Sequence, residues 1–180
     1  MFHIIRNSLP ILSVFLILSG CKSTEPANTL DVANTAEQTA PIIQGSCPRV
    51  SFREGTTYYR AYTRKGEGDP SKITYQSSLA DATRSCTISG GQLNVSVFAA
   101  GRLLAGPQGK AGEVQLPIRV VVVDKKTKSV LYSELSTQVV SLIGPNLTAQ
   151  FVFNDPNVII PAGAGGETEV FIGFDSGPKS

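Results

Sequence analysis

The chain has 180 residues, 41% of them hydrophobic and 17% charged, with a formal net charge of +2. That is enough for one sizeable core, but the charge is too small to recruit nucleic acid. Its single histidine is His3 and it has no tryptophan, so beyond the first few residues it lacks the commonest general base and metal ligand.

Residues 1–20 read as an export signal. Arg6 and the amino terminus form the basic start, residues 9–18 the apolar middle, and Ser19 and Gly20 the small residues before the cut. A membrane-spanning helix needs about 20 apolar residues; this run is about half as long and contains Pro10. The quartet Leu18-Ser19-Gly20-Cys21 resembles the lipobox of bacterial lipoproteins at all four positions. The resemblance implies that the Cys21 thiol takes a diacylglyceryl group, that the signal is cut just before it, and that the new amino group is acylated. Two or more acyl chains make membrane attachment stable. Lys22 follows, not the aspartate that favours inner-membrane retention, so the resemblance implies an outer-membrane protein, lipid-anchored and facing the periplasm.

With the signal removed, fifteen basic side chains stand against fourteen acidic ones. Cys47 and Cys86 are then the two remaining thiols, in an oxidising compartment where paired cysteines bridge. Their spacing is not the Cys-x-x-Cys of a redox pair, so a structural disulfide is expected. Residues 21–46 form the lipidated N-terminus and a tether: from Lys22 on they are rich in Thr, Ala, Asn and Pro and have no sustained period. Fully extended, the tether reaches roughly 80 Å.

Residues 47–175 show period two repeatedly, and residues 176–180 are a tail. In 92–99, Leu93, Val95, Val97 and Ala99 share one face. In 113–124, Val114, Leu116, Ile118, Val120 and Val122 do so, and the run 120–123 is apolar on both faces. Leu147, Ala149, Phe151 and Phe153 form a third set, and Val170, Ile172 and Phe174 a fourth. Such alternation marks half-buried antiparallel strands. Turn signals separate them, among them "SGG", "DKKTKS", "NDPN" and "PAGAGG". Only 79–84 suggests a short helical turn. Eight to ten short strands point to an antiparallel β-sandwich of immunoglobulin or fibronectin-like architecture, with a small closed barrel as the alternative.

Little in the domain suggests chemistry. "GPQGKAG" at 106–112 fails as a phosphate loop, because Leu104 and Ala111 stand where a glycine and a hydroxyl are needed. There is no Gly-x-Ser-x-Gly elbow, and a Ser-His-Asp triad is excluded. Glu67, Asp69, Asp124 and Asp155 sit beside turn signals, where acids are commonplace. No enzyme, cofactor or metal is expected. The stretch with recognition chemistry is "TTYYRAYTRKGEGD": in a strand, Tyr58, Arg60, Tyr62 and Arg64 form one ladder, with Tyr59, Ala61 and Thr63 on the other face. Tyrosine and arginine are enriched at binding hot spots and grip acidic or carbohydrate surfaces through bidentate and cation–π contacts.

The folded part resembles uncharacterised periplasmic lipoproteins of the envelope and carries the motifs of no family with a known activity. The expected function is therefore non-catalytic: a sandwich that binds a protein partner in an envelope assembly or transport complex. The alternative is a peptidoglycan- or lipopolysaccharide-binding module using the ladder with Lys125, Lys126 and Lys128. A hydrolase is the distant third.

Overall fold

The computed structural model describes residues 47–177. The expected signal, Cys21, the expected tether and residues 178–180 lie outside them. Among the described residues the chain forms eight strands: β1 (Arg49–Phe52), β2 (Tyr58–Tyr62), β3 (Ile73–Ser89), β4 (Gln92–Ala105), β5 (Gly112–Asp124), β6 (Val130–Leu142), β7 (Thr148–Pro161) and β8 (Thr168–Phe174). They make two four-stranded sheets, ordered β1-β8-β5-β6 and β2-β3-β4-β7. The molecule is the expected β-sandwich and not a closed barrel, for each sheet keeps two edges. The strand order is not the A-B-E-D and C-F-G pairing of an immunoglobulin constant domain, so the likeness is one of architecture. One pairing also departs from the antiparallel expectation, since β1 runs parallel to β8, from Arg49 opposite Glu169 to Phe52 opposite Ile172.

The core follows from alternation. Leu93, Val95, Val97, Ala99 and Leu103 of β4 face Val114, Leu116, Ile118, Val120 and Val122 of β5, joined by Val170, Ile172 and Phe174 of β8 and by Phe151, Phe153, Val158 and Ile160 of β7, in one buried cluster. The doubly apolar run 120–123 lies in β5, an interior strand between β8 and β6. A fully buried Leu or Ile contributes about 1.5–3 kcal/mol, so these faces hold the two sheets together. Gly101 of β4 allows one close approach: a Cβ there would collide with the ring of Phe151, its cross-strand partner. Between β3 and β4 the chain turns on Gly90 and Gly91, both at positive φ, the conformation that a two-residue hairpin requires.

Two local expectations are corrected. Residues 79–84 are not helical but run within β3, where a bulge between Leu79 and Asp81 shifts the register with β4. The "NDPN" stretch is not a turn but part of β7, where a second bulge places Asp155 opposite Val97 and Val158 opposite Val95. Proline is tolerated there because β7 is an edge strand. The strands are also longer than expected, 17 residues in β3 and 14 each in β4 and β7.

A disulfide joins Cys47, just ahead of β1, to Cys86 in β3, with Cα atoms 5.7 Å apart. It ties the first strand of one sheet to the other sheet. Beside it, Arg84 Nε donates to the Pro48 carbonyl at 3.0 Å, a second fastening of the same segment.

Candidate binding face

β2 is a five-residue edge strand, and its alternation sorts the side chains as the sequence suggests. Tyr58 is 71% exposed and Arg60 is exposed. Tyr59 points the other way, its ring 5.7 Å from that of Phe174, packed against the core. Tyr62 is half-buried, next to an irregularity where it pairs with Ile73 and the register skips Thr74. Arg64 is not a rung of the ladder. The strand ends at Tyr62, Thr63 N–H donates to the Lys72 carbonyl, and Arg64 lies in the turn closed by Gly66 N–H to the Thr63 carbonyl.

The register extends the ladder across the whole sheet. Tyr58 stands opposite Ser78, Ser78 opposite Arg102, and Arg102 opposite Gln150. The neighbouring row runs Arg60, Gln76, Leu104, Thr148. With strands about 4.8 Å apart, each row spans roughly 14 Å. Two arginines, one exposed tyrosine, hydroxyls and amides thus share one outer face, and neither row contains a carboxylate. Beside Arg102 the face dips into a hollow of about 610 Å³ walled by Ser78, Ala80, Gln150 and Val152. Val152 is 66% exposed and Leu104 39%, so apolar side chains border the cations. Such a mixture suits an acidic surface that also offers apolar contact.

A second hollow, of about 280 Å³, lies over the other sheet and is lined by Arg53, Thr56, Arg119, Val121, Phe171 and Asp175, among others. Its inner cation is already matched. Arg119 Nε donates to Asp175, and its guanidinium also reaches Ser133 Oγ at 3.1 Å. The Arg119 hydrogen bond, with a second from Gly177 N–H, holds the Asp175 carboxyl below the usual carboxylate range. A guanidinium so paired has less to offer an incoming anion than Arg60 or Arg102.

Of the four acids suggested by the sequence, Glu67 is exposed and the three aspartates are occupied locally. Asp69 accepts from Ser71 N–H and Oγ and caps the short turn Pro70–Lys72. Asp124 accepts from the N–H groups of Lys126 and Thr127 in the β5–β6 loop. Asp155 is the exception to its turn-side reading: it is buried in β7, accepting the Tyr132 hydroxyl of β6 at 2.8 Å and Asn157 N–H at 3.0 Å. Burial first, and that hydrogen bond second, push the Tyr132 phenol well above its ordinary value. Among the described residues, no group of three or more His, Cys, Asp or Glu side chains is placed to hold a metal ion.

No family model matches the chain, and no curated protein matches it. Among solved structures it is similar to a DUF1425 family member from Shewanella sp. pv-4, at 14% identity, a TM-score of 0.31, and coverage of 72% of this chain and 97% of that one. At that score nothing about function follows from the likeness.

Arg102, Gln150 and Val152 were not singled out by the sequence. Arg102 sits at an outward position of β4 between Ala100 and Leu104, so its exposure was readable. Its place beside Tyr58 depends on pairing between strands far apart in the chain.

Proposed function

We propose that this protein is a non-catalytic, lipid-anchored component of the bacterial envelope, held through Cys21, whose sandwich binds an acidic protein partner on the outer face of the β2-β3-β4-β7 sheet. The observation that carries the binding reading is the alignment of Tyr58, Arg60, Arg102 and Gln150 in adjacent rows of that face with no carboxylate in either row. Arginines that form no ion pair among the described residues, beside exposed apolar side chains, attract an acidic surface and give it something to settle on. The lipobox quartet supports the anchored, periplasm-facing location, with the tether between lipid and domain.

Two variants and a salt titration test this. Cys21→Ala should abolish incorporation of labelled palmitate and release the chain from washed membranes; a labelled, membrane-retained variant refutes the anchor. Arg60→Glu with Arg102→Glu should cut co-purification of the partner about tenfold or more while shifting stability by only about half a kcal/mol. The wild-type complex should loosen in 1 M salt, where the screening length falls to about 3 Å. Undiminished capture by the double variant refutes the face. Peptidoglycan and lipopolysaccharide are the competing ligands. Co-sedimentation of wild type but not the variant with purified cell wall would move the same face to that reading, for which the exposed Tyr58 beside the arginines speaks.

A further inference from the structure

We infer that β6 is a self-pairing edge, through which two copies of this chain join their β1-β8-β5-β6 sheets into one continuous eight-stranded sheet. An edge strand offers unpaired N–H and C=O groups, and folded proteins defend such edges by keeping them short, kinking them, or placing proline or lysine on them. Three of the four edges here are so defended. β1 and β2 have four and five residues, and β7 carries Pro156 and a bulge at 155–158. β6 has 13 residues. From Tyr132 to Leu142 its register with β5 is unbroken, and this stretch contains no proline, glycine, lysine or arginine and a single charge, Glu134.

The occupant is indicated by the order of the outward side chains. They read Leu131, Ser133, Leu135, Thr137, Val139, Ser141, Ile143, a chemical palindrome about Thr137. Leu131, Leu135, Val139 and Ile143 are 43%, 45%, 46% and 77% exposed. A two-fold interface demands a patch complementary to itself. Antiparallel pairing centred on Thr137, the middle of the unbroken stretch, sets Leu135 against Val139 and Ser133 against Ser141, with Leu131, at the register shift, and Ile143, just past the strand, flanking these pairs. Moving the centre to Ser136 or Gln138 sets apolar side chains against hydroxyls throughout, and moving it to Leu135 or Val139 keeps like against like but shortens the overlap of the unbroken stretch 132–142 from eleven residues to seven. Glu134 then faces Val140, and the two Glu134 carboxylates lie roughly 20 Å apart, beyond the screening length of about 8 Å. Like charges do not oppose the pairing, and on the outward face the cross-strand pairs within 132–142 are matched.

The pairing has a definite register, and cysteine crosslinking in the full-length chain reads it. Directly opposed residues have Cα atoms about 4.5–5.5 Å apart, within disulfide range. Thr137→Cys should therefore give, on mild oxidation in native membranes, a disulfide-linked species of twice the chain mass above the background of the parent chain. Leu135→Cys alone should not, because its own copies lie roughly 13 Å apart, whereas Leu135→Cys mixed with Val139→Cys should. A Thr137→Cys chain that stays single or links to a different protein overturns the inference, as does a Leu135→Cys chain that links to itself equally well. Should Thr137→Cys fail to fold, the mixed pair decides alone.

Discussion

Joint replacement of Cys47 and Cys86 by alanine is expected to lower the unfolding free energy of the sandwich by about 4 kcal/mol, the loop-closure entropy released when a bridge across about 40 residues is lost. A domain of this size has a total stability of about 5–15 kcal/mol, so the loss takes a large share of it. The melting temperature should fall by roughly 10–15 °C. The structure adds a local reason. Cys47 precedes β1, which holds its sheet by only four parallel pairs to β8, and Cys86 is 1% exposed. Without the bridge, β1 and the Arg84–Pro48 hydrogen bond should open first, so early hydrogen exchange should be concentrated in 47–52. An unchanged denaturation midpoint in the double variant, or in protein reduced and alkylated, would contradict this.

The second large effect belongs to Tyr132 and Asp155. Tyr132→Phe removes the side-chain hydrogen bond between β6 and β7, and leaves a buried carboxylate with Asn157 N–H as its one remaining partner among the described residues. Depriving a buried polar group of a partner costs about 1–3 kcal/mol, more when it is charged. The pH dependence has a fixed sign. The folded phenol titrates above the ordinary tyrosine value of about 10, so its contribution is complete below pH 10 and is lost as the pH rises beyond it. Wild type should therefore lose stability above pH 10 more steeply than Tyr132→Phe, as followed by urea midpoints between pH 7 and 11. Parallel pH profiles for the two would show that the clasp contributes nothing.

Much of the fold was legible because the buried faces alternate without interruption. Leu93 to Ala99, Val114 to Val122 and Val170 to Phe174 announce their strands in any window, since period two is a local property. The misreadings fall where the period slips. At Leu79–Asp81 the bulge adds a residue to β3, so the apolar phase changes and Ala80 to Ala82 resembles a helical turn. At Asn154–Asn157 the residues of a turn are used for a bulge instead, and Asp155 is turned inward to meet Tyr132. Nothing local distinguishes these outcomes, because they depend on which strand lies alongside. The same limit divides the candidate face. Tyr58, Arg60 and the inward Tyr59 follow from alternation within β2, whereas Arg64 was lost to a strand end and Arg102 and Gln150 were gained through register.

That face is the centre of the account, and a photo-reactive side chain probes it directly in living cells. Benzoylphenylalanine in place of Tyr58 or of Gln150, at the two ends of one row, should form a covalent adduct with the same acidic envelope protein on irradiation. The same group in place of Val121, on the outer face of the other sheet, should not. Adducts from both Tyr58 and Gln150 but none from Val121 are the predicted result; no adduct from Tyr58 and Gln150, or an equal one from Val121, would contradict it.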